Sequence, residues 1–311
     1  MGNMQKVFVL GSINCDLVME APKLPQAGET LSGQGFFINP GGKGANQAVA
    51  SSKLGAETYM IGAIGRDVFG NICFESLKKY GCSVQFVKEI QGKTGVASIW
   101  VSENDNRILL DGGANLCLDE PYIVSVLEKY AKEGDILVCQ LEIDPGLVEK
   151  AFSFAKRLGM KTLLNPAPVP EKGISPTLLK LTDIIVPNEN ETETICGFPV
   201  NTKEDMRNAV KFFNGYGVET VLITLGANGA YFCGGGIEKR RKAFTVRAID
   251  TTAAGDTTIG ALACRLAAGY TVAESMDFCA AASAITVSRM GAQQSIPSYA
   301  EVIGFLEKHP E

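Results

Sequence analysis

Four copies of one local pattern constrain the fold of this 311-residue chain more than any other feature. In each copy an amphipathic, helix-like stretch ends at a glycine, and a short strand-like run follows. Glycine directly after a helix commonly adopts the left-handed conformation that closes the last turn. Helix, glycine and strand in repeated order predict βα units, and therefore a mainly parallel sheet with helices on both faces. The copies are Leu54-Gly55-Ala56, Tyr80-Gly81-Cys82, Leu158-Gly159-Met160 and Tyr216-Gly217-Val218.

Six runs have the short, apolar, β-branched character of fully buried parallel strands. They are Val7–Leu10, Thr58–Ile61, Ile136–Cys139, Thr162–Leu164, Ile184–Val186 and Thr220–Thr224. The C-terminal part is predicted to be helical, with helices over Gly255–Ala268, from a capping box at Thr271 toward Arg289, and over roughly Tyr299–Lys308.

Two regions, Val18–Ile38 and Val96–Asp111, interrupt the βα rhythm and have no helical pattern. The first contains turn formers between short extended pieces, and the second predicts a hairpin. We expect them to form a small β-sheet over one edge of the main domain, or else edge strands of the main sheet.

Composition excludes several classes of protein. The chain is 46% hydrophobic and 20% charged, with a net charge of −5, which is typical of a globular protein with a large core. It has no basic face, so nucleic acid is not an expected partner. No apolar run approaches the ~20 residues of a membrane span, and the N-terminus is interrupted too early for a signal peptide. We therefore expect no membrane association and a cytoplasmic location.

Cysteine and histidine usage argues against a zinc site. There are nine cysteines without a Cys-x-x-Cys pair, and His309, near the chain end, is the single histidine. An odd number of cysteines without a secretion signal favours free thiols. Cys15 is notable because it lies between Asn14 and Asp16.

Polar residues follow five of the predicted strands where each strand ends. One such residue is usually a turn or a cap, but five in register indicate a ligand site, because ligands bind beyond the carboxyl ends of strands in doubly wound sheets. These residues are Asn14 and Asp16, Gln140 and Glu142, Asn165, Asn188 and Glu191, and Thr224 with Gly226.

The segment Asp250–Gly260 places small residues and one carboxylate directly before an apolar helix. Ala253, Ala254 and Gly255 carry no bulk, so an anion can approach the unpaired N–H groups at the helix start. Asp256 would then lie beside that anion as a proton acceptor, which suits phosphoryl transfer to a hydroxyl. The alternative is an ordinary N-cap aspartate that begins a core helix.

Asn39–Asn46 is a second glycine-rich entry into a helix. It matches neither the Walker loop nor Gly-x-Gly-x-x-Gly, which argues against those two nucleotide-binding motifs. One interpretation is a clamp on a polyhydroxy ligand with Asn46 one turn inside the helix. The other is a capped helix start with Lys43 facing solvent.

Together these segments resemble the ribokinase family of carbohydrate kinases over nearly the whole chain. The resemblance implies a single α/β domain over residues 1–311, with three αβα layers, a mainly parallel central sheet and a small β-sheet lid inserted at about 14–38 and 95–111. It also implies ATP, magnesium and potassium, phosphorylation of D-ribose at O5, and a homodimer formed through the lids. The matching motifs are Gly11–Asp16, Ala27–Thr30, Gly41–Ala48, Gln140–Glu142, Leu164–Pro168, Pro187–Glu191, Ile223–Gly226, Asp250–Gly260 and Arg289–Gln293.

The resemblance also assigns roles to individual residues. Asp256 would be the base, with the amides of Ala253, Ala254 and Gly255 as an anion hole. The sugar ligands would be Asn14, Asp16, Gly42, Lys43, Asn46 and Glu142. The nucleotide would be held by Asn188, Thr224, Gly226, Ala227, Gly229, Gly255 and Ala280. Glu191 would contact magnesium through water, and the potassium positions would be Asp250, Thr252, Thr286, Arg289, Gly291 and Ser295.

Three alternatives differ from a ribose kinase. A kinase for 2-deoxyribose or another small sugar is the nearest, but Asn14 and Asp16 suit a 2-hydroxyl, whose loss would leave buried polar groups unpaired. A nucleoside kinase would need room for a base beside Lys43. A non-catalytic sugar-binding regulator would be expected to lose the base or the anion hole, and both Asp256 and Gly255 are present.

Overall fold

The computed structural model describes residues 4–102 and 105–309. Within them the chain forms thirteen strands, here numbered in chain order. They are β1 Val7–Leu10, β2 Asn14–Glu20, β3 Gly35–Gly41, β4 Thr58–Gly65, β5 Ser83–Ile90, β6 Gly95–Ser102, β7 Asp105–Asp111, β8 Ile136–Cys139, β9 Lys161–Leu164, β10 Ile184–Ile185, β11 Thr220–Thr224, β12 Ala230–Gly234 and β13 Ile237–Arg241.

Ten α-helices and two short 3₁₀ helices, over Gly113–Cys117 and Gly226–Asn228, complete the described elements. The α-helices are α1 Lys43–Lys53, α2 Val68–Lys79, α3 Glu120–Tyr130, α4 Pro145–Arg157, α5 Pro176–Lys180, α6 Glu189–Cys196, α7 Lys203–Gly215, α8 Ala254–Ala267, α9 Val272–Val287 and α10 Tyr299–Lys308.

The larger sheet has nine strands among the described residues, in the order β13-β12-β11-β10-β9-β8-β1-β4-β5. Neighbours from β11 to β5 pair in parallel, while β12 and β13 pair antiparallel at one edge. All six predicted strands are present in it. The glycine of each repeated pattern has positive φ, as the helix-closing interpretation requires: Gly55 104°, Gly81 80°, Gly159 74° and Gly217 93°.

Two apolar cores lie on the two faces of this sheet. The alternation of β1 shows this directly, because Val7 and Val9 belong to one core, whereas Phe8 and Leu10 belong to the other. Helices α1, α2, α8, α9 and α10 contribute buried residues to the first core, and α3, α4, α5 and α7 to the second. The predicted three-layer αβα fold is confirmed, and so is the presence of a second small sheet.

The small sheet has the order β3-β2-β6-β7 in the described part of the chain. Three of its strands come together at Asn14, which pairs with both Gly41 of β3 and Gly95 of β6, and Val96 pairs with Asp111 of β7. The open question between a separate sheet and edge strands is thus settled in favour of a separate sheet. Its root lies beside the carboxyl end of β1.

Two strand features were missed or misassigned by the sequence patterns. β5 has no place among the six predicted strands, and from sequence alone the three consecutive glycines within Cys233–Lys239 predict a surface turn. Only Gly235 and Gly236 lie between β12 and β13, which form a hairpin at the sheet edge. The nine cysteines are free thiols, as expected. Within the described residues, no helix has the length and apolar character needed to cross a membrane.

Candidate active site

A cavity of about 700 Å³ lies beyond the carboxyl ends of β9, β10 and β11. Lys43 and Asp256 line one end of it. We call these two residues, together with Asn14, Asp16, Asn46 and Glu142, which lie beside them, the polar end. The apolar end is formed by the turn after β11, residues 243–248 and α9. Twelve of the predicted site residues line the wall: Lys43, Asn188, Glu191, Thr224, Gly226, Ala227, Gly229, Ala253, Ala254, Gly255, Asp256 and Ala280.

Asp256 lies at the polar end, buried to 9% exposure, as the third residue of α8. Asn46 Nδ2 donates to its Oδ2 and Gln47 Nε2 donates to its Oδ1, each at 3.0 Å. Both donors are on α1, so the starts of two helices converge on this carboxylate. The alternative of an N-cap aspartate is wrong, because Ala253 occupies the cap position.

Ala253 adopts the left-handed conformation, with φ 60°. It is the one non-glycine residue with positive φ in the described ranges. No side chain caps α8, and the Ala254 N–H makes only a long hydrogen bond of 3.3 Å to Thr251 O, for which an anion could compete. Ala254 and Gly255 line the cavity there, which leaves the backbone accessible to an anion.

Glu142 organises the polar end from the other side. Its Oε2 accepts from Ser12 Oγ at 2.6 Å, from Lys43 N at 3.1 Å and from Asn14 Nδ2 at 3.5 Å. Gly42 allows this approach, because its φ is 88° and a Cβ there would lie 2.7 Å from Asn14 N. The predicted sugar residues Asn14, Gly42, Lys43 and Glu142 therefore lie together.

Asp16 lies against the same helix start, since a Cβ on Gly41 would be 2.2 Å from its Oδ2. Burial, with the charges of Glu142 and Asp256 added, raises the pKa of Asp16 to about 7. Burial alone would lower the pKa of Lys43, but the carboxylates of Asp256, Glu142 and Glu191 outweigh it and raise that pKa. The polar end thus has an excess of hydrogen-bond acceptors, which suits a ligand rich in hydroxyl donors.

Asn188 and Glu191 form the N-terminal capping box of α6. Asn188 donates its backbone N–H to one Glu191 oxygen at 2.9 Å and its Nδ2 to the other at 2.8 Å. Burial raises the pKa of Glu191, against the Asn188 hydrogen bond and the charge of Lys43. Both oxygens are engaged, and among the described residues no group of three His, Cys, Asp or Glu could hold a metal ion. The donor set therefore fits a hydrated magnesium ion reached through water rather than a direct ligand.

The apolar end is built mainly from backbone and small side chains. Gly226, Ala227 and Gly229 follow β11, and Thr224 N donates to Pro187 O at 2.9 Å, which ties this turn to the α6 start. Gly229 has φ 94°, and a Cβ there would lie 1.9 Å from Arg241 O. Ala280 completes the wall from α9.

The predicted potassium positions are brought together in part. Asp250 accepts from Thr252 N and from Gly291 N, each at 2.9 Å, which joins two loops behind the α8 start. These bonds hold the pKa of Asp250 below its usual value, although burial alone would raise it. Thr286 is bonded to Thr257 in α8 at 3.1 Å, whereas the Arg289 side chain turns away to Glu301. Ser295 Oγ donates to Ala292 O within its own loop.

Sequence reasoning gave no individual role to five residues that build this site, four of them buried and Asn165 half-buried. Gln140 and Asn165 were recognised as strand-end polar residues, and Ser12 and Gln47 lie inside the quoted motifs. Asn115 had no signal at all. It binds Ile13 through both backbone groups, at 2.9 and 3.3 Å, and donates to Asn14 Oδ1 at 2.7 Å.

The similarity of this chain to known proteins extends over all the residues of this site. A model described as pfkB family carbohydrate kinase matches residues 4–299. The ribokinase of Haemophilus influenzae is 42% identical over 301 residues, which are 96% of this chain and 97% of that protein. The deoxyribokinase of Salmonella typhi is 35% identical over 294 residues, 94% of this chain and 95% of that protein.

Among solved structures, that of Arabidopsis thaliana ribokinase complexed with ribose and ATP is similar to this chain, with a TM-score of 0.88 and 30% identity. The match covers 97% of this chain and 99% of the plant protein's chain. Both the sequences and the backbone are therefore similar over the main domain, the small sheet and the cavity.

Proposed function

Because the chain belongs to the pfkB family of carbohydrate kinases, we propose that it transfers the γ-phosphoryl group of ATP to O5 of D-ribose, giving D-ribose 5-phosphate and ADP. One observation carries this proposal. A buried carboxylate, held by two amide donors, lies at the uncapped start of α8 on the wall of a cavity large enough for both substrates.

The polar end is the ribose site in this proposal. Asp16, Glu142 and Asp256 accept hydrogen bonds from sugar hydroxyls, while Lys43 and Asn14 donate to them. Asn46 Oδ1 supports this assignment, because it is buried without a hydrogen-bond partner among the described residues. A buried acceptor of this kind is expected to be satisfied by a ligand.

The transfer step needs little covalent chemistry from the protein. Asp256 accepts the proton of the attacking hydroxyl, the new O–P bond forms, and the bond to the ADP oxygen breaks. The first-turn N–H groups of α8, at Ala253, Ala254 and Gly255, stabilise the charge on the transferred group. The apolar end, with Asn188, Thr224, Gly226, Ala227, Gly229 and Ala280, holds the nucleotide.

Magnesium and potassium complete the proposal. Magnesium would neutralise phosphate charge, with Glu191 and Asn188 contacting its water shell. Potassium would be held between the loops that Asp250 joins, with Thr252, Thr286, Arg289, Gly291 and Ser295 nearby. Replacing potassium by a bulky organic cation should lower turnover, and full activity in that cation alone would reject the site.

The small sheet is the lid in this proposal, and two lids form a homodimer. Its strands carry exposed apolar side chains, among them Phe36, Phe37, Trp100, Ile108 and Leu109, which is 78% exposed. A patch of this kind favours burial against a second copy. Sedimentation of Leu109→Asp should show a shift toward monomer, whereas Ile237→Asp on β13 should not. A cytoplasmic location is proposed with this metabolic role.

The decisive experiment is direct measurement of ADP release with ATP, magnesium and potassium. The panel should contain ribose, 2-deoxyribose, fructose, adenosine and no sugar, because the deoxyribokinase similarity makes 2-deoxyribose the specific competitor. Ribose should give the highest kcat/KM, since the polar end loses a paired hydroxyl with 2-deoxyribose. Higher kcat/KM for another acceptor would replace ribose as the substrate.

Asp256→Asn is the matched control, because it keeps the shape of the side chain. Its kcat should fall about 10²- to 10⁴-fold while ribose still binds. Near-normal kcat would remove Asp256 as the base. Ribose binding without ADP release by the folded wild-type protein would favour a non-catalytic regulator.

A further inference from the structure

A chain of four side-chain amides leads from Asp256 into the central sheet. Gln47 Nε2 donates to Asp256 Oδ1 at 3.0 Å and to Asn165 Oδ1 at 3.1 Å. Gln47 Oε1 accepts from Gln140 Nε2 at 2.6 Å, and Asn165 Nδ2 donates to Val186 O at 3.0 Å. Asn46 is the fourth amide and holds the other oxygen of Asp256.

In each hydrogen bond between Asp256 and Val186, the donor and the acceptor are fixed by these two terminal groups. The carboxylate of Asp256 accepts only, so Gln47 must present its nitrogen to it. The Val186 carbonyl also accepts only, so Asn165 must present nitrogen there and oxygen to Gln47. Gln47 therefore uses one N–H on each neighbour, and its oxygen receives Gln140. No second arrangement of these amides satisfies both ends.

The chain is anchored to rigid structure. Gln140 and Asn165 directly follow β8 and β9, and Asn165 N donates to Cys139 O at 2.9 Å. Gln47 is fully buried. Gly11, after β1, leaves the space that Gln140 occupies, since a Cβ there would lie 1.9 Å from Gln140 Oε1. Gln47 thus connects Asp256 on α8 to three strand ends.

We propose that Gln47 is a positioning residue of the transfer step, which holds the Asp256 carboxylate in one rotamer with its remaining lone pairs toward the sugar. This role rests on the proposed function, in which Asp256 is the base. Asn46 alone would leave one oxygen unsupported, and the carboxylate could then turn about its Cβ–Cγ bond. If the base is displaced from its alignment with the attacking hydroxyl, kcat falls more than substrate affinity does.

Charged groups around Asp256 make its support important. Lys43 faces it from the start of α1, Asp16 from β2 and Glu191 from α6, with Glu142 beside Lys43. Gln47 contributes a neutral donor to this set. Replacing it by Met removes this donor from the carboxylate, and replacing it by Glu adds a negative charge beside the carboxylate, so the surroundings of Asp256 become less favourable to its charge in that order.

The test compares Gln47→Met, Gln47→Glu and Ser51→Ala. Ser51 is the matched control, because it is also fully buried on α1, one turn after Gln47, but its hydroxyl is bonded to Thr58 at 3.1 Å rather than to Asp256. For Gln47→Met we expect kcat to fall about 10- to 100-fold, with both KM values changed less than about threefold. The acidic limb of the kcat–pH profile should move to higher pH from wild type to Gln47→Met to Gln47→Glu. Ser51→Ala should keep the wild-type kcat and profile.

Asn165→Ala provides a second route if the Gln47 variants fail to fold. This substitution removes one hydrogen-bond partner of Gln47 and leaves both donors to Asp256 in place. We therefore expect kcat to fall about 3- to 10-fold, again with a smaller change in both KM values and a shift of the acidic limb to higher pH. A Gln47→Met or Asn165→Ala kcat within twofold of wild type, or a loss with an unmoved acidic limb, would overturn the inference. Two controls separate the claims. If the wild type shows no ribose-dependent ADP release, the proposed function fails. If Asp256→Asn turns over normally, Asp256 is not the base and the role of Gln47 fails with it, whereas if only the Gln47 series is silent, the proposed function and the base both stand.

Discussion

The two ends of the cavity recognise their ligands with different parts of the chain. At the polar end, side chains from β2, α1, the segment after β8 and α8 converge, and each has named partners: Glu142 accepts three hydrogen bonds and Asp256 accepts two. At the apolar end, glycines and alanines leave backbone and small apolar surface exposed to the ligand. Ligand recognition at the polar end therefore depends on hydrogen-bonding and charged side chains, whereas at the apolar end it depends mainly on the shape of the wall.

This difference predicts which substitutions matter where. Removing one side chain at the polar end leaves charged partners unsatisfied, and such groups are expensive to bury. At the apolar end little is lost by removing a side chain, so adding bulk is the effective perturbation. Each variant should therefore affect one substrate and spare the other.

Among the substitutions that separate the two ends, Asp16→Ala has the largest expected effect. We expect KM for ribose to rise about 10- to 100-fold, because a charge-assisted hydrogen bond to a hydroxyl is lost. KM for ATP should change less than about threefold, since Asp16 lies outside the cavity's apolar end. Steady-state kinetics with each substrate varied in turn gives both values. Equal losses for both substrates would contradict separate ends and indicate misfolding.

Ala280→Leu perturbs the other end. Added bulk in the α9 wall should raise KM for ATP about tenfold and leave KM for ribose unchanged. Ala268→Leu is the matched control, because Ala268 is exposed at the end of α8. An effect on ribose of equal size would mean that the two ends are not independent.

Ribose affinity should depend on pH through Asp16, whose pKa lies at about 7. The ionised form accepts hydroxyl hydrogens, so KM for ribose should rise about tenfold between about pH 8 and about pH 6. In Asp16→Asn this dependence should disappear, while KM for ATP should stay flat in both proteins. A KM for ribose that does not change with pH in the wild type would show that ionisation of Asp16 does not control ribose binding over this pH range.

Protonation of the same carboxyl group should weaken ribose binding but stabilise the folded protein. Its pKa in the folded state is above the usual value of ~3.9, so the folded state binds the proton more tightly. Its contribution to stability is present at low pH and is lost as pH rises toward about 7. Thermal unfolding of Asp16→Asn should therefore show a higher midpoint than wild type at alkaline pH and a smaller difference near about pH 4.

The residues of the polar end gave local signals in the sequence, for a physical reason. Asn14 and Glu142 follow apolar strands, where several polar residues occur in register, and Asp256 is a carboxylate among small residues at a helix start, so each gives a signal. Asn115 gave none, because it reaches Ile13 across 102 positions and only the folded chain brings them together. The hairpin β12–β13 was missed because three glycines looked like a loop, whereas two of them form the turn. Register and long-range pairing are not local properties of the sequence.

Ala253→Gly is the smallest expected effect and tests the point where both ends meet. Ala253 begins α8 with φ 60°, a conformation that costs an alanine about 1–2 kcal/mol. Glycine removes that strain but loses more chain entropy on folding, about 0.5–1 kcal/mol. The free energy of unfolding should therefore rise by about 0.5–1 kcal/mol in denaturant titrations. Ala268→Gly is the control with ordinary φ of −83°, and it should lower stability instead. If both substitutions destabilise equally, Ala253 carries no strain, and the start of α8 is set by the loop before it rather than by this residue.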